Sequence, residues 1–214
     1  MRGSREEITE RQRDFVERFA DVDDIMDIGC GRGEFLQLLK DAGKSARGVD
    51  ADAEMAEWCR EQGLDVRHGE GIAALAATAA GSLGGVFAAQ VVEHLPPGPL
   101  VAFLVAAQNA LRPGGVIVLE TINPASLSAL RNYFADLTHA QPLVPQTLAF
   151  LVETSGFHDV EVELRSPLPD DQRLRELPHP DGTPPELVEA SAHNVNRLND
   201  LLFAPQDYAV IARA

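Results

Sequence analysis

Apolar and polar positions fall in alternating blocks along the chain, and the blocks predict short buried strands separated by amphipathic helices. Ile25-Met26-Asp27-Ile28 is apolar apart from one acid; glycines follow at 29, 31 and 33, then a helical spacing of Phe35, Leu38 and Leu39. Such a run reads as a buried strand, a tight turn and a helix start. The helix from Glu34 to Ala42 stops at Gly43, strand Ala46 to Val49 ends at Asp50, and helix Ala53 to Gln62 stops at Gly63. Glycine just past a helix supplies the left-handed residue that ends it. Asp65 to Arg67 is a third strand, Ala73 to Ala80 alanine-rich helix or irregular chain, and Val86 to Val91 a fourth strand. Leu100 to Leu111 is a helix, Arg112-Pro113-Gly114-Gly115 a turn and Val116 to Glu120 a fifth strand. Leu148 to Gly156 reads as helix, Val160 to Leu164 as a sixth strand, Pro185 to Leu202 as helix and Asp207 to Ala212 as the last strand. Ahead of all this, Arg5 to Ala20 reads as one helix capped by Ser4, with Glu6 and Glu7 suiting its dipole. Strands alternating with helices imply an α/β fold with helices on both faces of a mostly parallel sheet.

Length and charge narrow the picture. The 214 residues fit one α/β domain with a core of useful size. A formal net charge of −15 repels phosphate backbones, so nucleic acid is not an expected partner. Cys30 and Cys59 are the only cysteines, which suggests free thiols and a cytoplasmic setting. No apolar run approaches the roughly 20 residues of a membrane span, and no metal-ligand spacing is recognisable. Met1-Arg2-Gly3-Ser4 reads as an expression scar or as the true start of a fragment.

The candidate chemistry begins at the glycine turn. Its spacing is G-x-G-x-G, one position tighter than the dinucleotide fingerprint, with Cys30 and Arg32 between the glycines. Asp50 lies 23 positions beyond Asp27, where a carboxylate at a strand end accepts both hydroxyls of a nucleotide ribose; the alternative is a helix cap. Asp52 reads as a cap. Residues after the fourth strand, Gln90 to His94, reach the ligand crevice of a parallel sheet.

These motifs resemble class I S-adenosylmethionine (SAM) methyltransferases. The glycine turn is similar to the family's first motif, Val91-Val92-Glu93-His94-Leu95 to the fourth-strand motif of ubiquinone-type members, and Leu111-Arg112-Pro113-Gly114-Gly115 to a structural turn. The resemblance implies a Rossmann-like seven-stranded sheet in the order 3-2-1-4-5-7-6, with the last strand antiparallel. It also implies SAM as cofactor and S-adenosylhomocysteine as product. Gly29, Cys30, Gly31 and Gly33 would pack against the amino-acid end of SAM, and Asp27 would orient its methionine part. Asp50 with Ala51 would meet the ribose, Glu70 with Gly71 the adenine, and Gln90 with Val91 the transferring methyl. Met55 is read as an adenine contact or a core residue.

A narrower likeness concerns the acceptor. Glu120-Thr121-Ile122-Asn123-Pro124, Asp136-Leu137-Thr138-His139 and Pro145-Gln146-Thr147-Leu148 resemble methyltransferase domains of bacterial polysaccharide assembly, including O-antigen chain-terminating ones. Leu137 stands where that pattern has Pro, and Gln146 where it has Glu. The expected function is O-methyl transfer to a carbohydrate or sugar-phosphate acceptor. A sugar hydroxyl is a weak nucleophile that a positioned base assists, so His139 with Asp136 offers a base and an orienting acid, and His94 a second proton acceptor. The alternatives are a self-capped loop at Asp136 to His139 and a helix-start role for His94. An anionic acceptor would instead call on Arg131, or on Arg11 and Arg13 of the first helix, which otherwise make a solvated face. Residues 1–20 are expected to form a lid helix and 21–214 the catalytic domain, with 165–203 inserted before the last strand. Asn194, Asn196 and Asn199 on that insertion face either the pocket or water. The rival functions are a small-molecule methyltransferase of the ubiquinone type, a non-catalytic SAM-binding module within a larger polypeptide, and a dinucleotide-dependent oxidoreductase, which the glycine spacing disfavours.

Overall fold

The computed structural model describes residues 3–214; Met1 and Arg2, half of the segment read as a scar or fragment start, lie outside the described residues. Seven strands form one sheet: β1 (Ile25–Ile28), β2 (Ala46–Asp50), β3 (Val66–His68), β4 (Leu83–Ala89), β5 (Leu111–Ile122), β6 (His158–Arg165) and β7 (Asp207–Arg213). Their order is β3-β2-β1-β4-β5-β7-β6. The pairs among β1 to β5 are parallel, and β7 runs antiparallel to both β5 and β6. This is the expected Rossmann-like topology. Because β7 is reversed, its first residue, Asp207, lies beside Ile122 at the end where β5 finishes.

The nine helices are α1 (Arg5–Arg13), α2 (Phe15–Arg18), α3 (Glu34–Asp41), α4 (Ala53–Glu61), α5 (Gly71–Ala76), α6 (Pro97–Ala110), α7 (Leu127–Ala135), α8 (Pro145–Thr154) and α9 (Pro185–Leu202), counted among the described residues. On one face of the sheet, Phe15, Phe19, Phe35 and Phe87 form an aromatic cluster, with Phe35 stacked on Phe87 at 3.8 Å. Arg165 caps it, its guanidinium 4.6 Å from the Phe15 ring centre. On the other face Leu100, Phe103 and Leu104 of α6 and Leu148 of α8 pack on Ile117, Leu119 and Val210. The core lies between these helices and the sheet, and the carboxyl ends of β1, β2, β4 and β5 are left as one edge.

Three elements depart from the sequence reading. The expected Arg5–Ala20 helix breaks at Asp14. Ser4 and Glu7 start α1 with a capping box, but α1 buries no residue, whereas Phe15 and Phe19 must turn into the aromatic cluster. The polar and apolar halves therefore take different axes. Residues Leu127–Ala135, given no element from sequence, form α7, with Ala129 and Tyr133 buried four positions apart. The Arg112–Gly115 turn does not precede β5 but bulges out of it: Leu83 pairs with Leu111 and Gly85 with Val116.

Candidate active site

The site grows from the β1–α3 turn. Gly29, Gly31 and Gly33 all have positive φ, at 69°, 56° and 75°. At Gly29 an added Cβ would lie 2.6 Å from Val91 Cγ2, so the bare backbone is needed for the close approach of this turn to the end of β4. Asp50, at the end of β2, reaches across to the turn. Its Oδ2 accepts the Gly31 N–H at 2.6 Å and its Oδ1 accepts the Asp52 N–H at 2.9 Å. A carboxylate has about four acceptor positions, so two remain for a ligand diol. Asp52 caps α4, accepting from the Glu54 and Met55 N–H groups. Ala51 and Glu70 are exposed beside this edge and Met55 is half-buried. Asp27 is buried within β1.

After β4 the chain enters an uncommon conformation. Gln90 has φ of 57°, a value non-glycine residues rarely adopt and one that costs on the order of 1–3 kcal/mol. It is held there from both ends: its N–H donates to the Glu120 carbonyl at 2.8 Å and its side-chain amide donates to Asp207 Oδ1 at 3.2 Å. The bend throws Val92–His94 into a 3-10 turn that points Glu93 inward, 1% exposed.

Two buried carboxylates flank the edge on opposite faces of the sheet. Glu120, also 1% exposed, shares a face with Ala209 and with Asp207, under α1, whose Arg11 stands 3.7 Å from Asp207. Neither Glu120 oxygen has a hydrogen-bond partner. Burial, and next the Asp207 carboxylate, push its pKa up to about 7, while Arg11 and Arg165 pull the other way. Glu93 is pushed up to about 7 by burial as well, eased by its own backbone N–H and by the Thr121 hydroxyl. Thr121 stands close by, but strict hydrogen-bond geometry leaves the Glu93 oxygens and Thr121 Oγ1 without partners. Sequence reasoning singles out Glu120 only as the head of the Glu120–Pro124 stretch and Asp207 only as the start of the last strand; the β5–β7 register brings the two together.

The loop after α7 folds over Glu93. Ala140 N–H donates to the Glu93 carbonyl at 2.8 Å. His94 and His139 meet there, ring centres 4.6 Å apart, and His139 stacks on Tyr133 at 4.7 Å. Asp136 does not pair with His139. Its Oδ1 accepts both the N–H and the hydroxyl of Thr138, at 2.8 and 2.6 Å, which holds its carboxyl below the usual range. The self-capped loop is thus formed, and it continues: Thr138 Oγ1 sits 3.0 Å from His94 Nδ1. Asp136 acts on His94 through Thr138, and His139 is instead held by the Tyr133 carbonyl at 2.6 Å. Burial, then the neighbouring His139, lower the pKa of His94. Asn123 spends both ends of its amide on the backbone of Pro205 and Ala125. Arg13 pairs with Glu10 on the surface, and Arg131 is exposed. Of the three asparagines of α9, Asn194 and Asn196 are exposed, while Asn199 brackets the Leu174 backbone at 2.8 and 2.9 Å and pins the preceding segment.

The edge fits S-adenosylmethionine. The Gly29 backbone leaves room that a side chain would fill, Asp50 keeps two acceptor positions unused, and the acids Asp27 and Asp50 are compatible with a cationic ligand. Of two surface grooves, one between α1 and α3 reaches Glu34, next to the glycine turn, and the other lies beside α8 and β6.

Comparison with known proteins agrees. A family described as "Methyltransferase domain" matches residues 4–162. A crystal structure of a SAM-dependent methyltransferase from Archaeoglobus fulgidus superposes with a TM-score of 0.94 at 36% identity, covering 99% of this chain and 95% of that one. A protein named "Probable S-adenosylmethionine-dependent methyltransferase" from Mycolicibacterium smegmatis is 32% identical over 63% of this chain and 51% of its own length. A "Ubiquinone biosynthesis O-methyltransferase" from Methylococcus capsulatus is 32% identical over 56% of this chain and 50% of its own. The chain thus spans about half the length of the curated relatives it matches. With the family matched over most of its length and the fold matched end to end, the chain belongs to the class I SAM-dependent methyltransferases.

Proposed function

We propose that this protein transfers a methyl group from SAM to a hydroxyl oxygen, on an acceptor rich in hydrogen-bond donors such as a carbohydrate or sugar phosphate. The observation that carries the acceptor class is the set of buried oxygens without partners at the strand ends: Glu93, Glu120 and Thr121. Buried acceptors left unsatisfied cost free energy that a ligand's donors recover. When bound, SAM supplies an electrophilic methyl on a sulfonium centre. Asp27, Gly29, Cys30, Gly31, Gly33, Asp50, Ala51, Glu70, Gly71, Gln90 and Val91 are assigned to holding it. His139 and His94 are assigned to the acceptor oxygen, taking its proton, with Asp136 positioning His94 through Thr138. Fixing the acceptor next to the donor supplies much of the acceleration, since positioning converts a bimolecular step into a local one.

The first helix is assigned the role of lid and residues 165–203 that of an insertion beside the acceptor site. Support for the lid is the position of α1 above Asp207 and Glu120, held by Arg11. Two unpaired buried thiols, Cys30 and Cys59, support a cytoplasmic setting. No helix among the described residues is long and apolar enough to cross a membrane.

A second reading has specific support. The curated relatives include ubiquinone biosynthesis O-methyltransferases, and Tyr133 and His139 present stacked rings beside the site; an aromatic hydroxyl would suit them. Methyl transfer from labelled SAM to a panel of sugar nucleotides, oligosaccharides and dihydroxylated aromatics separates the two. Turnover confined to aromatic acceptors overturns the first reading, and SAM binding without turnover on any acceptor overturns both.

A further inference from the structure

Glu93, His94 and His139 are brought to one point by two separate pieces of chain. One ligand-type atom from each lies within 4.8 Å of the other two. A buried carboxylate without a partner is costly, and Glu93 has both oxygens in that state at full hydrogen-bond geometry. The hydrogen bonds of the two imidazoles then decide which nitrogen is free. His139 Nδ1 lies 2.6 Å from the Tyr133 carbonyl, which only accepts, so Nδ1 carries the proton and Nε2 the lone pair. The Thr138 hydroxyl donates its single proton to Asp136, so toward His94 it accepts. His94 Nδ1 is therefore also protonated, and Nε2 again carries the lone pair. Both histidines are set in the form that binds a metal, each with its other nitrogen anchored by a carbonyl or, through a hydroxyl, by a carboxylate. That is the outer arrangement metal-ligating histidines almost always have.

We propose that Glu93, His94 and His139 bind a divalent transition-metal ion of the zinc class. Two imidazoles and one carboxylate favour such ions over magnesium or calcium, which prefer all-oxygen sites. Three protein ligands leave at least one position for water or an acceptor oxygen. The consequence for catalysis rests on the hydroxyl-acceptor reading and replaces its proton step: with both Nε2 lone pairs on the ion, the histidines act as ligands instead of proton acceptors, and a coordinated hydroxyl loses its proton to solvent more readily, its oxygen keeping the electron pair. The binding site itself does not depend on that reading. Sequence spacing concealed it because the third ligand comes from a distant loop.

The test uses the full chain, stripped with a chelator and dialysed. Zn²⁺ is titrated calorimetrically, and Co²⁺ is followed by its visible absorption. The expected result is a single saturable site, with Co²⁺ bands that Zn²⁺ displaces. His139→Ala and Glu93→Gln should abolish it. Thr138→Val should weaken it by about 10- to 100-fold, the usual cost of losing an outer-shell partner. His158→Ala, at the far edge of the sheet, should change nothing. Since Glu93 is buried and its variant can misfold, the loop residue His139 carries the decision, with SAM binding as the check on folding. Absence of a saturable site in the native chain, or equal affinity in a folded His139→Ala variant, overturns the proposal. Loss of SAM binding in the native chain would instead strike the methyl-transfer reading and leave the metal titration standing.

Discussion

The Asp50 carboxylate accepts the backbone N–H of Gly31 at 2.6 Å, tying the end of one strand to the turn after another. The same side chain therefore shapes the glycine turn, and its remaining lone pairs are the ones proposed to meet a ribose. Hydrogen bonds to a charged group are worth about 1.5–3 kcal/mol. Asp50→Ala should weaken SAM binding by roughly 10- to 100-fold, read by isothermal titration. It should also lower the midpoint of chemical denaturation without SAM. An unchanged dissociation constant would show that the carboxylate serves the turn alone.

Gly29→Ala should be destabilising twice over. The residue has φ of 69°, and its new Cβ would press on Val91 Cγ2 at 2.6 Å. Left-handed backbone costs an L-residue roughly 1–2 kcal/mol, and overpacking about 1–3 kcal/mol. Val91→Ala in the same chain should recover the second part only. Urea denaturation of the two single variants and the double variant measures the coupling; strictly additive losses would mean that the contact is not felt.

Glu120 should make stability fall as pH rises through the weakly acidic range. Its carboxyl is raised from 4.5 to about 7 in the folded chain, by burial first and the Asp207 carboxylate second. Below about 4.5 both folded and unfolded chains hold the proton. Between the two values only the folded chain does, so each step upward in pH removes stability until the folded group ionises near 7. The full effect is on the order of 3 kcal/mol. Glu120→Gln should flatten that slope and make the chain more stable than wild type at pH 8. Parallel pH profiles for the two proteins would refute the assignment.

His139→Ala should cut turnover by about 10²- to 10⁴-fold, the usual worth of a positioned proton acceptor, while SAM affinity holds. Rapid-quench assays with labelled SAM, paired with a SAM titration, separate these effects. Turnover near the wild-type rate would remove His139 from the chemistry.

Local chemistry was legible where a residue acts on its neighbours in sequence. Gly43 and Gly63, after the helices they close, sit at positive φ, and Asp52 caps α4 as its position suggests. The strand order came from the family likeness, because periodicity does not say which strands pair. What stayed hidden depends on the fold bringing distant pieces together. Asp136 looked like a partner for His139, three positions away, yet it bonds Thr138 and through it His94, 42 positions away. Glu120 reads as the head of a strand-exit motif until the reversed last strand sets Asp207 against its face. The break at Asp14 was masked by continuous helix-forming residues; burial of Phe15 and Phe19, not propensity, decides it.

The first helix reaches the body through polar ties: Arg11 to Asp207, Arg165 to the Arg11 carbonyl, and Arg32 to the Gly3 carbonyl. It buries no residue, whereas Phe15 and Phe19 just beyond it are sunk in the aromatic cluster. If α1 serves as the proposed lid, lifting it away exposes little oily surface, so such an opening has a small heat-capacity signature, and added salt loosens the latch. In the proposed lid role, the doorway to the crevice would swing on its charges while the aromatic frame behind it stays shut.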